Sequence, residues 1–112
     1  MAYDEPLAER IRDLLAGEAG LTEQRMFGGL AFLIGGHMAV AASGQGLMVR
    51  VNPADLDTLL ETTGARPMEM RGRAMRGWLR VDGDEVQAEH ELAGWVERGT
   101  AFARSLPPKS TT

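Results

Sequence analysis

No cysteine occurs anywhere in the 112 residues. That excludes a disulfide, a thiolate zinc site and a cysteine nucleophile, and it fits a cytoplasmic protein. Lysine is almost missing too: of twelve basic residues, Lys109 alone is lysine and the others are arginine. No window approaches the roughly 20 apolar residues that a membrane-spanning helix needs. The start, Met1-Ala2-Tyr3-Asp4-Glu5, is acidic and has neither the basic beginning nor the apolar centre of a signal peptide. Positive charge is short overall. A formal net charge of -4 argues against a general binder of nucleic acid or anionic membrane, because counterion release needs clustered cations.

What remains is the make-up of a soluble globular protein, with 44% hydrophobic and 25% charged residues. The length suits one domain with its own core, expected over residues 1–106, with a disordered polar tail at 107–112. One stretch departs from the acidic balance. Arg66, Arg71, Arg73, Arg76 and Arg80 fall close together, opposed only by Glu69. Compositional bias on a solvated hairpin accounts for most such runs, yet this is the one stretch with a positive field of its own.

Punctuation divides the chain into elements. Asp4, Pro6 and the helical spacing of Leu7, Ala8, Ile11, Leu14 and Leu15 predict a helix from Glu5 to Ala16, stopped by Gly17. A strand is expected from Gln24 to Ile34, with Gly28-Gly29 inside it as a bulge or a close backbone approach. Gly35-Gly36 signals a hairpin into His37–Ser43, where Met38, Val40 and Ala42 share a face. After Gly44-Gln45-Gly46, a third strand runs from Leu47 to Val51. Asn52 and Pro53 open a second helix that Gly64 ends, with Leu56, Leu59 and Leu60 as its apolar stripe. A second hairpin follows, from Arg66 to Met70 and from Met75 to Val81, turning near Arg71-Gly72-Arg73. The third helix spans Glu89 to Leu106, and its internal Gly94 and Gly99 are expected to permit close packing. The order αβββαββα implies an α+β two-layer sandwich: a mainly antiparallel five-stranded sheet with all helices on one face.

Catalytic and cofactor signatures do not emerge. The glycine pairs lie within or between strands, whereas a phosphate loop needs them before a helix and followed by Lys-Ser/Thr. His37 and His90 stand apart from any metal-spaced partner. Asp55, Asp57, Asp82 and Asp84 suit turns and a helix start. Neither a metal, a cofactor nor an enzymatic reaction is expected.

The open sheet face holds the best constellation. If Leu79 and Val81 face the helices, alternation places Arg76, Trp78 and Arg80 on the other side, and Met48 and Arg50 join them from the neighbouring strand. Tryptophan, methionine and arginine on an uncovered face have the composition of a binding surface. The alternative is that Gly77 is a bulge that flips the parity and buries Trp78 in the core. Arg25, Phe27, Gly28 and Gly29, with Arg71 and Arg73, are lesser candidates: an arginine beside glycines can hold a carboxylate or phosphate.

Several strings carry a family likeness. Arg25-Met26-Phe27-Gly28-Gly29-Leu30-Ala31-Phe32, Met38-Ala39-Val40 and Leu47-Met48-Val49-Arg50-Val51 resemble the N-terminal domain of the TfoX/Sxy proteins. So do Pro67-Met68, Gly72-Arg73-Ala74-Met75-Arg76-Gly77-Trp78 and Trp95-Val96. The resemblance implies a two-layer domain similar to secretion-chaperone-like and YjbR-like folds. It also implies a regulatory setting, since better-known members regulate competence genes together with a catabolite-activator-type transcription factor and have no established catalytic residues. Those members carry a further helical domain that the residues after Leu106 do not supply, so a stand-alone N-terminal domain is expected.

Three functions follow as expectations. The first is a non-enzymatic regulatory or interaction module that meets a protein partner or itself through the open face. The second is weak nucleic-acid binding by the Arg66–Arg80 hairpin, with Trp78 stacking on a base. The third is a small-anion or enzyme site near Arg25, Gly28 and Gly29.

Overall fold

The computed structural model describes residues 5–26, 28–44, 46–70 and 72–107. Within them the chain forms α1 (Glu5–Leu14), β1 (Leu21–Met26), β2 (Gly29–Ile34), β3 (His37–Ser43) and β4 (Gly46–Arg50). A 3-10 turn (Pro53–Asp55) leads into α2 (Leu56–Thr62), then come β5 (Arg66–Met70) and β6 (Arg73–Asp82). A second 3-10 turn (Gly83–Val86) precedes α3 (Glu89–Ser105). The strands make one antiparallel sheet in the order β1-β2-β3-β4-β6-β5.

The α+β sandwich is as expected, but the sheet has six described strands instead of five. The expected strand Gln24–Ile34 is two strands that pair with each other, Met26 opposite Gly29. Gly28 has φ +72°, a left-handed conformation that reverses the chain where a bulge would only bend it. Gly29 makes the close approach: a Cβ there would stand 2.3 Å from Ala42 O. The Asp4 cap and the tail beyond Pro107 lie outside the described residues.

All three helices bury their apolar side against the same face. Leu7, Ala8 and Ile11 of α1, Leu59 of α2, and Leu92, Trp95 and Val96 of α3 pack on Leu30, Phe32, Val40, Leu47, Val49, Leu79 and Val81. Phe32, Leu47, Leu79 and Leu92 are 0% exposed. Burial of each contributes about 1.5–3 kcal/mol relative to exposure. Met38 does not share a face with Val40 and Ala42. Phe32 pairs with Val40 but Leu33 pairs with Met38, so Ala39 is an extra residue in β3 and reverses the alternation. Met38 therefore joins Ala31, Ala41 and Met48 on the helix-free face.

Local chemistry sets the helix ends and their attachments. The Ala54 N–H donates to Asn52 Oδ1 at 3.0 Å, closing the cap expected before Pro53. Arg10 of α1 donates to Gln87 O at 3.1 Å, just ahead of α3, and pairs with Glu89 at 3.3 Å. Arg12 grips both oxygens of Glu23 on β1, at 2.7 and 2.9 Å. These hydrogen bonds hold the Glu23 carboxyl below its ordinary pKa of 4.5, against the opposing effect of partial burial.

The two glycines of α3 have different surroundings. A Cβ at Gly99 would lie 2.3 Å from Ala39 O, so the helix needs glycine there to seat on β3, whereas a Cβ at Gly94 would meet nothing within 4 Å. The expected close packing is thus found at Gly99 and not at Gly94. Gly94→Ala should stabilise by about 0.5–1 kcal/mol from helix propensity. Gly99→Ala should destabilise by about 1–3 kcal/mol despite that gain. Urea unfolding of both variants checks the contrast.

A second prediction concerns pH. Glu23 has a depressed pKa in the folded state, so its stabilising effect is complete above the unfolded value near 4.5 and disappears as pH falls through the lower folded value. The stability gap between wild type and Glu23→Gln should therefore be full at neutral pH and close below pH 4.5. Urea titrations at a series of pH values measure the gap.

Candidate functional site

The hydrogen-bond phase between β4 and β6 determines which side chains meet. Val51 N–H donates to Gly77 O at 2.8 Å, so these two residues form a hydrogen-bonded pair. One step further in, Arg50 faces Trp78 as a non-hydrogen-bonded pair, and Met48 faces Arg80 in the same way. In such pairs the Cα atoms approach to about 4.5 Å and the side chains lie closest. Their neighbours Leu47, Val49, Leu79 and Val81 are buried beneath the helices. Met48, Arg50, Trp78 and Arg80 thus start from the opposite side of the sheet.

The middle of that side is apolar. Ala31, Met38, Ala41 and Met48 are buried, with half-buried Leu33, Met68 and Trp78 around them. The two alanines make a shallow floor and the methionines fill it. Trp78 is neither in the main core nor fully exposed. Gly77 is the bulge considered above, with φ +86°. Trp78 nevertheless stays on the helix-free side.

Arg50 links this side to the helical layer. Its guanidinium carbon is 5.7 Å from the Trp78 ring centroid and 5.4 Å from that of Phe102 on α3. An arginine held over two rings gains roughly 0.5–2 kcal/mol per contact, the larger value when desolvated. Across β5 and β6, Arg66 and Arg80 sit opposite each other. Like charges in that position repel, but Asp82 lies 3.0 Å from Arg66 Nη2 and 3.6 Å from Arg80 Nε. The carboxylate offsets much of the local positive field. A groove of about 440 Å³ runs along Arg66, Pro67, Met68, Glu69 and Arg80.

Arg76 does not join Trp78. Between Pro67–Leu79 and Glu69–Ala74, two steps along β5 correspond to five along β6. The strand bulges there, alternation is interrupted, and Arg76 is exposed beyond the bulge. No cation–ring contact connects it to Trp78 among the described residues. Arg73 is exposed near the tip of the hairpin, while Arg71 and Phe27 lie outside the described residues. Arg25 is exposed on β1, and Gly28 and Gly29 form the turn and the close approach already described. Three grooves found among the described residues are lined by other side chains.

A groove of about 470 Å³ lies between α2 and α3 over Val51, Leu59 and Phe102, with Asp55 and Arg98 on its sides. Arg98 stacks on Trp95 at 4.8 Å. Residues that the sequence reading missed at the open face are Ala31, Leu33, Met38 and Met68. Alternation along β2 carries a signal for the first two. Met38 needs the Ala39 bulge, and the place of Phe102 beside Arg50 depends on how α3 packs. His37 Nε2–H donates to Pro107 O at 2.6 Å, and His90 sits 3.4 Å from Glu91. Among the described residues, no group of three or more histidine, aspartate or glutamate side chains comes together.

A family model for the TfoX N-terminal domain matches residues 13–103. No curated protein and no solved structure matches the chain.

The Arg50–Trp78 contact is measurable. A double-mutant cycle with Arg50→Met and Trp78→Leu should give a coupling of about 0.5–1 kcal/mol in urea unfolding. Simple additivity of the two changes would mean that the guanidinium gains nothing from the ring.

Proposed function

The chain belongs to the TfoX N-terminal domain family, and from that premise we propose that it is a non-enzymatic regulatory module whose helix-free sheet face docks a protein. One observation carries this reading: half-buried Leu33, Met68 and Trp78 form an apolar patch, over buried Ala31, Ala41 and Met48, on the face that no helix covers. Arginines border it. Arg50 stands at one end, and Arg66 and Arg80 along one side. Aromatic, methionine and arginine side chains are the types enriched at protein interfaces. The complementary surface would present apolar side chains among carboxylates. Two copies meeting face to face would oppose arginine to arginine, so a different protein fits this surface better. A cytoplasmic setting is part of the proposal; no helix among the described residues is long and apolar enough to cross a membrane.

Nucleic-acid binding is the second reading, favoured by the exposed Arg73 and Arg76. Asp82 counts against it, because it sits between Arg66 and Arg80 where phosphate contacts would otherwise form. An anion site near Arg25 has less support, since the three grooves found among the described residues are lined by other side chains.

Affinity capture from the native cell, comparing wild type with the double variant Trp78→Ser/Arg80→Glu, tests the first reading. The expected result is a specific partner held by wild type and lost by a variant that still gives a native circular-dichroism spectrum. Undiminished capture by the variant would exclude this face. A parallel low-salt titration should show no binding of single- or double-stranded DNA at about 10 μM. Binding that disappears on reversing Arg73 and Arg76 would support the second reading instead.

A further inference from the structure

The two edges of the sheet are built differently. Edge strand β5 contains Pro67, which has no N–H to offer, and its pairing is irregular between Pro67 and Glu69. Both features discourage addition of another strand. Edge strand β1 has neither: Leu21–Met26 contains no proline and pairs with β2 in unbroken register.

The phase of β1 determines which of its backbone groups are unused. Gly35 N–H donates to Gly20 O at 3.1 Å, which makes Gly20 and Gly35 a hydrogen-bonded pair. In the β1–β2 register the bonded positions are then Thr22, Gln24 and Met26. The N–H and C=O groups of Leu21, Glu23 and Arg25 point away from the sheet. Any strand added to this edge must bond to those three residues.

Few antiparallel registers let β1 pair with a second β1 through them. Leu21 opposite Arg25 places Glu23 against Glu23, and Arg25 opposite itself is repulsive too. Shifting by two residues centres the pair on Gln24 and sets Glu23 opposite Arg25, twice per pair because of the two-fold axis. We infer that this chain forms a homodimer by edge pairing of β1 with β1 of a second copy in that register, held by four backbone hydrogen bonds and two Glu23–Arg25 ion pairs. Charge on an edge strand ordinarily repels a second copy; opposite signs two residues apart make one register attractive and its neighbours repulsive. Glu23 and Arg25 are both exposed, and no ion pair occupies Arg25 among the described residues. Arg12 already grips Glu23, and each carboxylate oxygen can accept a second donor. The two-fold axis runs perpendicular to the sheet, so both helical layers lie on one side and both open faces on the other.

Sedimentation equilibrium over a concentration series, with variants Arg25→Glu and Glu23→Lys, tests the pairing. Each variant alone should dimerise at least roughly tenfold more weakly than wild type, because each puts like charges opposite each other twice. An equimolar mixture should recover a heterodimer, since Glu23 then meets Arg25 and Glu at 25 meets Lys at 23. Amide exchange on wild type gives a second readout that stands even if Glu23→Lys folds poorly. The Glu23 and Arg25 N–H groups should become protected as concentration rises. A wild type that stays monomeric up to about 1 mM, a dimer indifferent to Arg25→Glu, or unprotected amides at these positions in the dimer would each overturn the proposal.

Discussion

Helix α3 can lie on β3 as it does only because position 99 has no side chain. A Cβ there would come within 2.3 Å of Ala39 O and 3.0 Å of Val40, distances that force backbone apart. Much of the structure follows from this seating. It brings Leu92, Trp95 and Val96 down onto the sheet as one wall of the core. It lets Ala103 close over Ala39 and Ile34. It carries Phe102 to the end of β4 and Pro107 to His37. The carbonyl that Gly99 covers belongs to the extra residue of β3, so helix and bulge accommodate each other.

Charge on the molecule is distributed less simply than the run of arginines suggests. Arg66 and Arg80 share Asp82, Arg98 lies over Trp95, and Arg50 is held between rings from two layers. Stacked guanidinium groups keep their charge while covering apolar surface. The helix-free face therefore borders an apolar patch with cations whose positions their neighbours already define. Such order would lower the entropic cost of the docking proposed above.

The sequence disclosed element types, the α2 cap and the one-sided arrangement of helices because those depend on local patterns. Asn52-Pro53 and the spacing of Leu47, Val49 and Val51 are readable within a few residues. It did not disclose where alternation breaks. Gly28-Gly29 could bend a strand or reverse it, and the choice rests on whether Met26 finds a partner in Gly29. Likewise nothing local distinguishes Gly94 from Gly99; only the approach of β3 does. For the candidate face, Met48, Arg50, Trp78 and Arg80 lie in regular, paired segments, and the period-two rule carried them to one side together. Arg76 stands across the bulge at Gly77, where that rule no longer applies, and Met38 changed sides for the same kind of reason.

One residue more or less in β3 would act quite differently from a substitution. Replacing a side chain leaves every other in its layer. Removing Ala39 would instead erase the bulge and leave plain alternation, with Met38 still opposite Leu33 and Val40 still opposite Phe32. The carbonyl that Gly99 covers would go with it, and α3 would lose the seat that a substitution at position 39 leaves in place. What descendants of this chain must inherit here is a spacing, counted in residues. Over evolutionary time β3 can accept new letters far more readily than a new length.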